Sequence, residues 1–414
     1  MDLASLNGPQ REGVTHPGGP LLLLAGAGSG KTRVLTMRIA RLILEDQVPP
    51  DRILALTFTN KAAREMRSRI RNLLGGAPQG LWAGTFHAIA TRILRAEPAA
   101  TERVLGIRPG FVIFDEADSR ALLKRTLADL ELDPKEHQPP ALAVAMSLAQ
   151  AEARAPEGGL GLVHERYQVL ARESNGIDFD GLLTGLARVL REDGEAGERW
   201  GERFTDVLVD EYQDTNRAQY ELLTLLTRRH KNLTVVGDDD QSVYGFRGAD
   251  VRNLLDFRRD HPGARIVKLE QNYRSTQAIL DVAHGVISQN AERMPKRLWS
   301  DRGDGYLPRL LLAPDDQTEA AYLASEILRL RDEAGWSLTD QAILFRTNAQ
   351  SRPYERALLE RRIPYHVVGG LKFWDRREIK DTVAYLRFAS NPRDAVAFDR
   401  IANVPRRGIS ERTA

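Results

Sequence analysis

The chain has 414 residues, a formal net charge of +2, 42% hydrophobic and 28% charged residues, and no cysteine. That balance describes roughly three globular, domain-sized units and excludes a disordered or fibrous chain. It also excludes disulfides, thiolate zinc sites and iron–sulfur clusters within this chain, offers no apolar run near the ~18 residues of a membrane span, and requires any nucleic-acid surface to be local rather than global.

The first residues, Met1–Ser5, lack a basic region followed by an apolar stretch, so no secretory leader is expected and a reducing, cytoplasmic setting is. Leu6–Val14 reads as a turn entering a short helix. Within it the Gln10 amide can both donate and accept, which suits an adenine edge, although an exposed glutamine is as readily just solvated.

Leu21–Leu24 is a continuous apolar run, the pattern of a strand buried on both faces. Ala25-Gly26-Ala27-Gly28-Ser29-Gly30-Lys31-Thr32 follows, and then Arg33–Leu44 with apolar residues at helical spacing. A strand, a glycine loop ending in Gly-Lys-Thr and a helix form the context of a phosphate loop. The glycines let backbone N–H groups close on phosphate oxygens, and the helix N-terminus adds partial positive charge there. Lys31 would reach the β- and γ-phosphates and the Thr32 hydroxyl a Mg²⁺ ion. Ala25 stands where the strict pattern has its first glycine, with Gly26 beside it. An ordinary glycine turn is the plain alternative. The chain has nine lysines against 50 arginines, which makes a chance Gly-Lys-Thr scarcer here.

Ile53–Phe58 reads as the next buried strand, with Thr59 and Asn60 capping a helix over Lys61–Leu74. That helix is strongly cationic, which fits a solvated face as well as a ligand. A strand end offering Phe58, Thr59 and Asn60 is where an open α/β sheet places ligands. Trp82–His87 reads as a third strand end feeding a helix over Ala88–Arg95, with His87 either a phosphate or base contact or a structural residue. From about Glu97 to Trp200 helical segments (119–130, 141–153, 163–173) follow one another between Pro/Gly breaks, and no strand is evident. This predicts a helical insertion, with Asp178–Leu183 beginning the return.

Asp206–Val209 is an apolar strand running into Asp210 and Glu211. In a phosphate-loop enzyme the first acid holds Mg²⁺ and the second orients or deprotonates the attacking water. Leu233–Gly237 is another buried strand, ending in Asp238, Asp239, Asp240 and Gln241, where Gln241 could sense a γ-phosphate. Tyr244, Phe246 and Arg247 come just beyond, suited to base stacking with phosphate pairing, or equally to the core. After a strand at Ile266–Glu270, Tyr273 could stack on a purine, and Arg274 is a candidate transition-state arginine. A second α/β unit is expected from there, with strands at Arg309–Leu312, Gln341–Phe345 and Tyr365–Gly370, helices over 317–334 and 378–388, and Arg346 and Asn348 at a strand end.

Taken together, Leu6–Gln10, AGAGSGKT (25–32), LTFTNKAA (56–63), GTFH (84–87), VDEYQDTN (209–216), GDDDQSVYGFRGA (237–249), QNYRST (271–276) and ILFRTNAQSR (343–352) resemble, in order and spacing, the superfamily 1 DNA helicases of the UvrD/Rep/PcrA type. The resemblance implies an α/β fold: a RecA-like parallel-sheet motor domain (1–95 and 196–275) with a helical insertion (96–195), part of a second RecA-like domain (276–375) and the start of a second, truncated helical insertion (376–414). It implies an ATP- and Mg²⁺-dependent motor moving 3′ to 5′ on single-stranded DNA, parting single-strand/duplex junctions in repair or replication, monomeric or weakly self-associating, with repair proteins as partners and no membrane.

By the same resemblance Gln10, Arg33 and Tyr273 hold the adenine, and Gly26, Ala27, Gly28, Ser29 and Gly30 wrap the phosphates. Lys31, Thr32, Asp210 and Glu211 carry phosphate, metal and water activation, and Gln241 and Arg274 read the γ-phosphate. Phe58, Tyr244 and Phe246 stack on bases, and Thr59, Asn60, His87, Arg247, Arg346 and Asn348 lie along the strand. Phe246 stands where that family commonly has tryptophan, and its two last motifs are not found in these 414 residues. A nucleotide- and strand-binding module without motor activity, and the motor part of a helicase–nuclease, are the rival expectations.

Overall fold

Six strands form one parallel sheet: β1 (Leu21–Ala25), β2 (Ile53–Thr57), β3 (Trp82–Thr85), β6 (Asp206–Val209), β7 (Leu233–Gly237) and β8 (Arg265–Leu269), in the spatial order β3-β2-β6-β7-β1-β8. β1, β2 and β7 are buried at every position, as a sheet covered on both faces demands. The side chains alternate between the two faces. Leu22 and Leu24 join a core with Leu54, Val207 and Phe257, whereas Leu21, Leu23 and Ala25 join one with Val34, Leu35 and Met66. The expected α/β architecture with a parallel sheet is therefore present.

The computed structural model describes residues 2–368 and 377–409, which divide into one unit of residues 1–306 and 381–414 and another of 307–380. In the first unit the helices Lys31–Leu44, Asn60–Leu74 and Phe86–Ala96 follow β1, β2 and β3 directly, so their N-termini gather at the carboxyl edge of the sheet. Thr59 and Thr85 cap the last two, each hydroxyl accepting a backbone N–H.

The region expected to be helical throughout contains a two-stranded parallel sheet, β4 (Val112–Phe114) with β5 (Gly176–Asp178). Three-residue strands are too short to show a period in the sequence. Around them the helices Glu116–Asp129, Pro139–Ala151 and Gly158–Glu173 close a separate core of Phe114, Leu122, Leu127, Met146 and Tyr167. The segment 376–414, expected to open a second insertion, is helical at Arg377–Ser390 and Ala395–Ile401. Val396 joins that same core and Arg387 pairs with Asp118.

The second unit packs helix Asp316–Ala334 on helix Ser351–Glu360 through Ala320, Ala324, Ala357 and Leu358. The strands expected at Arg309–Leu312 and Gln341–Phe345 are not formed among the described residues, and Leu310, Leu312 and Leu344 are exposed. An apolar run predicts a buried strand only when neighbouring strands flank it, and among the described residues these have none. Tyr365–Val368 is likewise no strand, and Gly369 and Gly370 lie outside the described residues.

Candidate nucleotide site and nucleic-acid interface

The loop between β1 and its helix is held open by backbone geometry. Gly28 (φ 69°) and Gly30 (φ 87°) occupy the left-handed region that glycine enters without penalty. A Cβ on Gly28 would stand 2.7 Å from the Asn272 amide and 2.9 Å from the Arg274 Cβ, and one on Gly30 would stand 2.9 Å from the Gln10 amide. The loop is thus pressed from both sides, by Gln10 and Arg274, which were expected to serve it, and by Asn272, which was not. Ser29 turns its hydroxyl inward to the Gly26 carbonyl, 2.7 Å, and the Ala27 carbonyl accepts from Asn272 Nδ2 at 2.6 Å.

Across the loop lies the tip of β6. Lys31 Nζ is 3.0 Å from Glu211 Oε2, and the Thr32 hydroxyl donates to Asp210 Oδ2 at 3.3 Å. Residues 180 positions apart thus close one polar pocket. Burial, and then the neighbouring Glu211 charge, push the Asp210 carboxyl up to about 6 against the pull of Lys31. Two adjacent acids facing a single ammonium leave negative charge that a divalent cation would relieve, so the donor set fits Mg²⁺. Glu211 itself sits at φ 52°, ψ 47°, a left-handed conformation that costs a non-glycine residue about 1–2 kcal/mol.

Gln10 is buried, its amide donating to the Ser29 carbonyl at 2.9 Å while it completes a capping box with Asn7. Asn7 Nδ2 donates in turn to the Tyr273 hydroxyl at 2.9 Å, so Gln10 and Tyr273 meet through it. Arg33 reaches the Ser5 hydroxyl at 2.8 Å. Gln241 donates to Asp238 Oδ2 at 2.5 Å. Gln213, which sequence reasoning missed, ties these parts together: Nε2 donates to Glu211 Oε2 and Oε1 accepts the Asp238 N–H, both at 3.0 Å. Its only trace in the sequence is an amide placed two residues beyond the acid pair.

A second constellation lies at the ends of β2, β3 and β7. The Phe58 and Tyr244 rings are 5.0 Å apart, Tyr244 and Phe246 6.0 Å, and the Arg247 guanidinium stands 5.6 Å from each of the last two. Phe246 is 60% exposed, which settles against a core role. These residues line a cavity of about 670 Å³ that also takes in His87 and Phe179. The two rings meet edge-on at 5.6 Å, and burial lowers the His87 pKa. Phe179, half exposed in the first turn of a helix, was not foreseen; its signal was an aromatic directly after the cap residue Asp178. Thr59 spends its hydroxyl on the helix cap, and Asn60 is exposed beside it. Arg346 and Asn348 belong to the second unit, exposed just before helix Ser351–Glu360.

A phosphate loop on a parallel sheet, faced by an acidic strand tip, defines an α/β phosphate-loop nucleotide-binding protein. The sequence matches the UvrD/REP helicase N-terminal domain over residues 6–262 and the UvrD-like helicase C-terminal domain over residues 267–414, and the chain belongs to this family. It is 45% identical over 418 residues to the ATP-dependent DNA helicase PcrA of Bacillus subtilis, an alignment covering 98% of this chain and 56% of that protein. To the ATP-dependent DNA helicase UvrD1 of Mycobacterium tuberculosis it is 46% identical over 431 residues, covering 99% and 56%. The chain thus spans a little over half the length of these relatives.

Proposed function

We propose that this protein is a DNA-stimulated ATPase that moves 3′ to 5′ along single-stranded DNA and opens duplex at a junction, serving repair or replication in the cytoplasm. The observation that carries the reading is the closure of loop and acid tip, Thr32 on Asp210 and Lys31 on Glu211. In this reading the backbone of Gly26–Gly30 and the Lys31 ammonium bind the phosphates, and Gln10, Arg33 and Tyr273 hold the base. Thr32 and Asp210 would hold Mg²⁺, which when bound neutralises phosphate charge. Glu211 takes a proton from the attacking water, its Lys31 contact giving way to substrate. Arg274, whose Cβ flanks Gly28, and Gln241 meet the γ-phosphate.

Single-stranded DNA is assigned to the aromatic row Phe58, Tyr244 and Phe246, with Phe179 and His87 across the cavity. Asn60, Thr59 and Arg247, and in the second unit Arg346 and Asn348, supply polar contacts. Stacking on a row of rings with a cation beside it is sequence-tolerant, as a translocating motor requires. Tyr244 comes three residues after Gln241, a short covalent link between nucleotide and base. The relatives' names, both ATP-dependent DNA helicases, support the reading. We take the protein to act as a monomer or weak self-associate, handing its product to repair proteins.

The test is ATP hydrolysis with and without oligo-dT, followed by unwinding of duplexes with a 3′ or a 5′ tail. Stimulation by DNA and preference for the 3′ tail are expected, and Lys31→Ala should lower turnover at least ~100-fold while leaving strand binding. Turnover that survives Lys31→Ala would move the site elsewhere.

A further inference from the structure

The stretch from Arg293 to Ser300 has no helix or strand and carries none of the motifs above, yet it braces the nucleotide site at two points. At one end is Lys296, whose side chain is 2% exposed. Its ammonium lies 2.9 Å from Asp238 Oδ1, 2.5 Å from Asp239 Oδ1 and 2.8 Å from Asp240 Oδ2. Arg293 adds a forked pair to Asp240, at 2.9 and 2.7 Å, and the Met294 N–H takes the other oxygen of Asp239 at 2.7 Å. The three carboxylates come within 4.8 Å of one another, close enough to hold a metal ion. The Lys296 ammonium is the cation they meet. At the other end Leu298 lies so close over Gly26 that a Cβ there would be 2.2 Å from its Cδ2. The Trp299 carbonyl accepts the Asn272 N–H at 2.8 Å, and Asn272 grips the Ala27 carbonyl.

Burying an ammonium is costly unless it is fully paired, and a merely structural anchor could be apolar. What the three acids share is the turn they form, which ends on Gln241. Asp238 holds Lys296 with one oxygen and Gln241 with the other, and its N–H reaches Glu211 and Lys31 through Gln213. We propose that Lys296 is a positioning residue for ATP recognition: by clasping Asp238, Asp239 and Asp240 it sets the Gln241 amide where it distinguishes a triphosphate from a diphosphate. The proposal rests on the nucleotide site proposed above.

Lys296→Met alone leaves the buried Asp238 and Asp239 without their cation, while Asp240 keeps Arg293, so the variant of choice is the paired Lys296→Met/Asp239→Asn, which removes one charge of each sign. Affinities for Mg·ADP and for the magnesium complex of the non-hydrolysable imido analogue of ATP are measured on wild type and variant, alongside thermal melting. The expected result is a fall of about tenfold in preference for the triphosphate, the worth of one hydrogen bond to a charged group, with ADP affinity within about twofold of wild type. Arg293→Gln loosens the same turn from its rim and should shift the same ratio by a smaller factor; it decides the matter if the paired variant does not melt cooperatively. An unmoved ratio, or equal weakening of both nucleotides, overturns the clasp alone. Wild-type protein that binds neither nucleotide overturns the nucleotide site and the clasp with it.

Discussion

Single side chains carry the strand-binding account. Phe246 keeps most of its ring in solvent while standing in line with Tyr244 and Phe58, so Phe246→Ala removes a stacking face and little of the core. It should cost roughly 1–3 kcal/mol of oligo-dT binding, read by fluorescence anisotropy, with melting unchanged. Equal affinity would show that no base rests there.

Asp180 lines the same cavity, where burial and then the Asp178 charge push it up to about 6, Ser147 opposing. Because this lies above the ordinary 3.8, its contribution to stability is full below about pH 4 and is lost as pH rises through 6. For DNA the sign is parallel. Protonation removes a negative charge from a cavity also faced by Asp115, Glu116, Asp178, Asp214, Arg120, Arg247 and His87. Oligo-dT binding should therefore tighten between pH 7.5 and 5.5. Asp180→Asn should give roughly 0.5–2 kcal/mol of that gain already at pH 7.5 and make the profile shallower, leaving the residual slope to Asp214, which burial and then the Glu211 charge also push up to about 6, and to His87. A profile identical in wild type and Asp180→Asn would remove Asp180 from the interface.

At the scale of elements, the strand ends do two jobs at once. Thr59 was expected on the DNA, and its hydroxyl caps helix Asn60–Leu74. Thr59→Ala should lower stability by about 1 kcal/mol in a thermal or urea melt, whereas Thr59→Asp keeps the cap and adds a charge facing the strand. Loss of DNA binding in the aspartate variant at unchanged stability fits both roles; stability unchanged in the alanine variant contradicts the cap.

The elements that sequence reading found are those whose burial is written in consecutive residues. Leu21–Ala25 and Leu233–Gly237 are almost wholly apolar because both faces are covered, and Gly28 and Gly30 between β1 and its helix are dictated by positive φ. Strands β4 and β5 stayed hidden because three residues carry no period. Arg309–Leu312 and Gln341–Phe345 misled for the opposite reason, being apolar with no strand to flank them among the described residues. Lys296 was invisible because its partners lie some 57 residues away, and Gln213 left only its place beside Glu211 as a trace, because the Asp238 it joins lies 25 residues on and comes to it by tertiary folding.

For the whole molecule, no helix among the described residues is long and apolar enough to cross a membrane, and the near-neutral net charge leaves strand affinity to local features such as the aromatic row and its arginine. The nucleotide pocket and that row share the turn after β7, with Gln241 on one side and Tyr244 on the other. The bonds from Lys31 through Glu211, Gln213 and Asp238 to Gln241 end on that turn, so displacement of Glu211 from Lys31 is expected to alter the placing of the rings beyond it. Linkage makes such coupling reciprocal: whatever factor nucleotide imposes on DNA affinity, DNA must impose on nucleotide affinity.

In the proposed function one magnesium–triphosphate is gripped by the glycine loop and the acidic tip, and the aromatic row responds. The most direct measurement is a pair of equilibrium titrations, oligo-dT with and without the saturating imido analogue of ATP, and that analogue with and without saturating oligo-dT. A change of about fivefold or more is expected in each, equal within error, and abolished by Lys31→Ala. Affinities that are independent of one another, in a protein that binds both ligands, would contradict it.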